Sequence, residues 1–257
     1  QSLLSVPRAI GCEVDEWPVE LTSGRQAGAH SWSFDLERLK GLLRENTKMV
    51  IVNVPHNPTG CCMTAEEKRE LAGVLRSRGI MLLADEMYWR LEYDARADAT
   101  PFCDLYEKAV SLSGLSKSYG LPGLRIGWLA SQDGSLVEPA AQLKDYTTIC
   151  TAAPSEFLAR VAVGATETLV ARSLSIVREN LRILEKVCAR HADRLELIPG
   201  RGGSIVFPRF VDGTSTADFS QALIDRRNLL MLPGDLFDMP PEFFRVGLGR
   251  ADLPEAL

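Results

Sequence analysis

Apolar residues recur along this chain in two rhythms. Short continuous aliphatic runs alternate with longer stretches in which apolar positions return every three or four residues. Met49-Val50-Ile51-Val52-Asn53-Val54 is a run of the first kind, and 80–84, 109–112 and 126–130 are others. Such runs predict strands buried on both faces of a sheet. Residues 35–45 follow the second rhythm, with Leu36, Leu39, Leu42 and Leu43 on one helical face. Thr64-Ala65-Glu66-Glu67 carries a capping-box signature, so a helix is expected from there to about Ser77, closed by Gly79. Strand, helix, strand, helix, strand is the α/β signature of a mostly parallel sheet.

The flanking regions are less regular. Residues 1–10 suggest a short helix, 11–19 a strand closed by Pro18, and 21–33 an exposed loop. Residues 91–100 read as loop and 101–106 as a short helix. Beyond Ser131 the texture turns helical, over 136–149, 154–163 and 171–191. In the last of these Leu174, Val177, Leu181, Leu184 and Val187 share one face. A Pro-Gly-Arg-Gly-Gly turn follows, then an expected strand (204–208), helix (217–226) and strand (243–247). The division expected is a large unit over 1–172 and a smaller α+β unit over 173–257.

Composition narrows the classes. Hydrophobic content of 46% and charged content of 25% suit a soluble globular chain. The net charge is −5, with basic residues scattered, which weighs against nucleic acid or an anionic membrane as partner. No apolar run approaches the roughly 20 residues of a membrane span, and no signal peptide is visible. The six cysteines include no Cys-x-x-Cys pair, and with three histidines no metal-ligand cluster is expected. A reduced, cytoplasmic setting follows from that usage. The chain opens on Gln1 and stops at Leu257 within an apparent helix start, so a fragment is expected.

Candidate chemistry gathers at strand ends. Asn57, Asp85 and Lys117 each lie just past an apolar run, and ligands of parallel sheets sit beyond the carboxyl ends of strands. Lys117 lies between two apolar runs, where a desolvated amine becomes a nucleophile toward carbonyls. Asn57 sits in Asn-Pro-Thr-Gly, which reads equally as a plain turn or as an amide aimed at a phenolic oxygen. Asp85 reads as a helix cap or as the partner of a protonated ring nitrogen, and Tyr88 three residues on as a core tyrosine or a second ligand. Arg125 is a surface cation or a phosphate ligand. Arg245, on an apolar strand, is an internal salt-bridge partner or the receiver of a substrate carboxylate.

In order and combination these motifs resemble the class I/II aminotransferases, the fold-type I enzymes dependent on pyridoxal phosphate. The matching stretches are Asn57-Pro58-Thr59-Gly60, Ala84-Asp85-Glu86-Met87-Tyr88, the run Ser116-Lys117 to Arg125-Ile126-Gly127-Trp128, and Phe244-Arg245-Val246-Gly247. The resemblance implies a three-layer α/β fold with a mostly parallel sheet, incomplete here, and a smaller C-terminal α+β domain. It implies pyridoxal 5'-phosphate as cofactor, held by Lys117 as a Schiff base. Lys117 is then also the proton shuttle. Asp85 is expected at the pyridinium nitrogen, Asn57 and Tyr88 at the phenolic oxygen, and Arg125 at the phosphate. Arg245, with Asn57 beside it, is expected to bind the substrate α-carboxylate.

The implied reaction moves an amino group between an amino acid and a 2-oxo acid, in a homodimer. Neutral or aromatic amino acids are the side-chain class expected, since no second arginine for a distal carboxylate can be identified. Two alternatives remain open. One is a lyase or cyclase of the same family, of the capreomycidine synthase kind. The other is a regulator whose domain only senses the cofactor. The chain also departs from the family pattern. Its glycine-rich phosphate turn is expected upstream of Gln1, and the C-terminal helix after Pro254 is expected to be cut short. Gly114 stands where the family often has a phosphate-binding serine, and Ser113 and Ser116 are both candidates to replace it.

Overall fold

The computed structural model describes residues 2–23 and 30–256. Helix α1 (Ser2–Ala9) opens the chain. Residues 12–18, expected as a strand, form no regular structure. Their acids turn to arginines instead of joining a ladder: Glu13 and Asp15 take the two ends of the Arg44 guanidinium, and Glu16 pairs with Arg8. The stretch expected as a loop over 21–33 lies within an antiparallel hairpin of β1 (Val19–Ser23) and β2 (His30–Phe34); residues 24–29 lie outside the described residues. Trp32 and Phe34 alternate with serines and sink into the core, which supplies the burial that fixes the hairpin.

Then follow α2 (Leu36–Leu42), β3 (Met49–Asn53), α3 (Ala65–Arg78), β4 (Met81–Asp85), α4 (Phe102–Leu105), β5 (Ala109–Gly114) and β6 (Gly127–Ala130). The strands form one sheet in the order β3-β4-β5-β6. Its first two pairings are parallel and the last is antiparallel. Both halves of the α3 capping box are present, and Gly79 closes the helix in the left-handed region at φ +66°. Strand β5 is buried on both faces, as expected, but β3 and β4 are buried on one. Val50, Val52, Leu82 and Ala84 are buried against Leu71, Ala72 and Leu75 of α3 and against Trp32 and Phe102. Ile51 and Leu83, on the other face, stay half-buried. Each fully buried leucine contributes about 1.5–3 kcal/mol of transfer free energy, so the covered face holds the sheet to its helices.

Three helices come next: α5 (Gly134–Lys144), α6 (Ala153–Gly164) and α7 (Thr166–Arg190). Helix α7 runs unbroken through 172–173, where a boundary between units is expected. Short strands β7 (Leu195–Glu196), β8 (Ile205–Val206) and β9 (Arg209–Phe210) precede α8 (Thr216–Arg227), β10 (Leu232–Pro233) and β11 (Phe244–Gly247). They make a three-stranded sheet, β10-β11-β8, and a β7-β9 pair.

The two parts of the chain meet along a seam of bare backbone. The amides of Arg201 and Gly202 both donate to the Gly60 carbonyl, at 2.7 and 3.1 Å. A Cβ at Gly60 would lie 2.9 Å from the Gly202 oxygen, and one at Gly200 3.0 Å from the Thr59 oxygen. Only glycines allow this approach. Among the described residues no helix is long and apolar enough to cross a membrane, and no group of three or more His, Cys, Asp or Glu side chains is placed to hold a metal.

Candidate active site

The parallel sheet delivers three chain turns to one edge. Strands β3 and β4 end in register, Asn53 opposite Asp85. Strand β5 ends at Gly114, and the turn after it carries Lys117. Asn53 links the first two ends. Its Nδ2 donates to the Asp85 carbonyl at 3.0 Å, and its Oδ1 accepts the Asn57 amide at 2.7 Å. A polar side chain closing an aliphatic strand thus fixes the backbone of two candidate residues at once.

Asp85 Oδ1 accepts the Met87 amide at 3.2 Å and so closes a turn; no helix follows for it to cap, against its simpler reading. Burial pushes its carboxyl up from the ordinary aspartate range, against that one hydrogen bond. Tyr88 is buried, and burial raises its phenol while Arg245 opposes the shift. Lys117 Nζ lies 5.8 Å from the Tyr88 ring centroid. Arg245, on β11, donates from Nη1 to Asn57 Oδ1 at 3.3 Å and lies 4.9 Å from the Phe237 ring centroid. Asn57 therefore spends its amide oxygen on Arg245 and keeps its Nδ2 hydrogens for another acceptor.

Asn57, Asp85, Tyr88, Lys117 and Arg245 line one cleft of about 380 Å³. Asn53, Ser204 and Arg250 line it too, and the sequence reading missed them in that role. Asn53 had a local signal, a polar residue ending an aliphatic strand. Ser204 and Arg250 had none, because their placement depends on how β8 and β11 pair. A larger hollow of about 550 Å³, lined by His30, Glu185, Cys188 and Glu196 among others, has no lysine or arginine in its lining.

Three expectations change. Lys117 is exposed and not desolvated between buried strands; β6 is an edge strand whose residues alternate between exposed and half-buried, so the turn opens outward. Arg125 does not line the cleft. It is exposed, adopts φ +56°, and donates to the Pro122 carbonyl at 2.8 Å. Gly114 is required by the sheet: a Cβ there would lie 2.8 Å from the Ile126 oxygen. Of the nearby serines, Ser113 is buried and donates to the Glu86 carbonyl, and Ser118 donates to the Trp89 carbonyl. Ser116 is half-exposed beside Lys117.

This donor set fits a pyridine aldehyde bearing a phenolic oxygen. The amine of Lys117 suits the carbonyl. The half-buried Asp85 carboxylate suits a ring N–H⁺, because a cation there relieves the desolvation of its charge. The Asn57 amide and the Tyr88 phenol suit the ring oxygen.

A family model for aminotransferase class I and II matches residues 3–257. The chain belongs to that family. Class I and II aminotransferase-family proteins depend on pyridoxal phosphate, and the fold here is their mixed α/β type. The chain is 33% identical to capreomycidine synthase of Streptomyces vinaceus over 92% of its own length and 58% of that protein's. It is 27% identical to aromatic-amino-acid aminotransferase 2 of Thermococcus litoralis, over 91% of this chain and 60% of that one. Among solved structures it matches a PLP-dependent aminotransferase from Streptococcus suis 89-1591 with a TM-score of 0.86 and 30% identity, over 96% of this chain and 63% of that one. It matches the PLP-dependent cyclase OrfR with a TM-score of 0.78 and 31% identity, over 96% and 64%. The chain thus spans about three fifths of the length of these family members.

Proposed function

We propose that this chain carries the cofactor floor and the substrate-carboxylate arginine of a pyridoxal phosphate-dependent aminotransferase. The supporting observation is the convergence of Asn57, Asp85, Tyr88, Lys117 and Arg245 on one cleft from four separate segments. When bound, the cofactor supplies an electron sink for negative charge developing at the substrate Cα. Arg245 takes the α-carboxylate and is steadied by Asn57 Oδ1. Lys117 Nζ would hold the cofactor's carbonyl carbon and, once displaced by the substrate amine, would be the base that takes the Cα proton. Asp85 keeps the ring nitrogen protonated. Asn57 Nδ2 and the Tyr88 hydroxyl donate to the phenolic oxygen. Arg125 is assigned to the phosphate on its motif alone, since it lies outside the cleft lining, and of the two candidate serines Ser113 is taken up by the Glu86 carbonyl while Ser116 carries no such bond among the described residues. Residues 1–172 would form part of the cofactor domain and 173–257 part of the small one, in a homodimer that exchanges amino groups between amino acids and 2-oxo acids.

A second reading has a specific observation behind it. Two of the similar proteins, capreomycidine synthase and the cyclase OrfR, are not named as transaminases. A lyase or cyclase would use the same lysine and arginine but expel a group from the substrate. Product analysis separates the two. The aminotransferase needs a 2-oxo acid to turn over; ammonia released from an amino acid alone would establish the other reaction. The assignment common to both is tested by Lys117→Ala in the cofactor-loaded protein. Loss of the visible absorbance of bound cofactor and of turnover is expected, and a variant keeping both refutes it.

A further inference from the structure

We propose that Phe237 is a positioning residue for the substrate carboxylate. Its ring face holds the Arg245 guanidinium at the cleft without taking up the hydrogen-bond donors that the carboxylate uses. This rests on the reading of Arg245 as the receiver of the α-carboxylate.

Three observations carry it. First, Arg245 is a half-buried cation without an acid. Among the described residues its guanidinium forms no ion pair, and its one hydrogen bond is the 3.3 Å contact with Asn57 Oδ1. A charge so placed calls for a counterpart. The Phe237 ring is that counterpart: Arg245 Cζ lies 4.9 Å from its centroid, the shortest such approach among the described residues. Second, the ring is anchored. Phe237 meets Phe207 edge to face at 5.8 Å between centroids, and Phe207, fully buried, stacks on Phe243 at 5.3 Å. Trp32 of β2 closes the column against Phe243 at 5.6 Å. Rings paired in these geometries hold one another's orientation, so a column of aromatics runs from the core to the cation. Third, the backbone that carries the ring is tied to the strand that carries the guanidinium. Phe237 ends a single 3-10 turn, Gly234–Phe237, directly after β10, and Leu232 of β10 pairs with Arg245 of β11. Glycine at 234 lets that turn close down: a Cβ there would lie 2.6 Å from the Pro240 oxygen and 2.8 Å from the Phe243 oxygen. A carboxylate in the place of the ring would hold Arg245 by its fork and so block the substrate. A ring face attracts the charge and leaves the fork free, apart from the Nη1 hydrogen given to Asn57.

The test uses the cofactor-loaded protein with 3-phenylpropanoate and its uncharged amide as probes. Dissociation constants are read by calorimetry, so turnover is not needed. The wild type is expected to bind the carboxylate tighter than the amide by about tenfold. Replacing Phe237 by mono-, di- and trifluorinated phenylalanine drains the negative ring face with little change of volume. Carboxylate binding is expected to weaken step by step along that series, by about fivefold at its end, while amide binding and Tm hold. Phe237→Leu is expected to cost about fivefold for the carboxylate, and Phe237→Tyr, which keeps a ring face, to bind it within about twofold of the wild type. In an Arg245→Gln background Phe237→Leu is expected to cost nothing further for the carboxylate. Carboxylate binding that stays level along the fluorinated series, as a role in packing alone requires, overturns the proposal. Arg245→Gln by itself reports on the parent reading: it is expected to erase the preference for carboxylate over amide, and a preference that survives it refutes the assignment of the α-carboxylate. Equal binding of the two probes by the wild type, or binding of neither, overturns both.

Discussion

At the scale of single residues, the site depends on a few side chains that fix other side chains. Asn53→Ala frees the Asn57 amide and the Asp85 carbonyl together. The expected result is roughly tenfold weaker cofactor binding, followed by titration of the visible absorbance, with little change in thermal stability. Asn53→Asp keeps the acceptor and loses the donor, and should fall between the two. Gly114→Ser places the family's usual hydroxyl where the sheet has no room, with its Cβ 2.8 Å from a backbone oxygen. It is expected to cost about 1–3 kcal/mol, seen as a lower Tm, without tightening cofactor binding. Asn57, Asp85, Tyr88, Lys117 and Arg245 were legible as candidates because each belongs to a compact motif. Arg250 was not, since nothing local says that the turn after β11 is folded back by Asn180 from a helix about seventy positions earlier.

At the scale of elements, legibility followed length. Strands β3, β4 and β5 and helix α3 carry enough residues for their period to show, and α3 also carries its cap. Thr64→Ala removes the side-chain acceptor of the Glu67 amide and is expected to lower stability by about 1 kcal/mol in chemical unfolding. The two-residue strands β7, β9 and β10 are too short to show a period at all, whereas β8 falls inside the strand expected over 204–208. The β1–β2 hairpin was hidden for another reason. Its serines and threonine read as loop, although Trp32 and Phe34 alternate with them as a half-buried strand requires. The supposed strand before it failed because acids facing Arg8 and Arg44 satisfy themselves without a ladder.

At the scale of the whole molecule, two acids near the cleft, buried Glu86 and half-buried Glu92, contribute to the pH response. Burial pushes Glu86 and Glu92 each up to about 7. Lys68, itself buried, opposes the shift in both, and the two acids are electrostatically coupled; near Glu92 lie also the Cys62 thiol and the Glu92 Oε2 has no partner among the described residues. A carboxyl whose folded value exceeds its unfolded one favours folding at low pH. That contribution is complete below about 4.5 and is lost as pH rises through about 7. Glu92→Gln should therefore stabilise the fold at pH 8 by on the order of 2 kcal/mol and do little at pH 5, measured as Tm at both values. His56, pushed down to about 4 by burial, acts in the opposite sense and is unchanged by Glu92→Gln. Beside these acids, the glycine seam ties Gly60 to Gly200 and Gly202 by main chain alone. This joint is made by main-chain bonds, which have no rotamers to give. It transmits displacement and little else, so a shift of the Arg245 sheet is felt at the Asn57 turn as movement of the peptide itself. The alignment of substrate with cofactor would then be in part a mechanical property of the chain, set by peptide contact as well as by the Arg245–Asn57 bond.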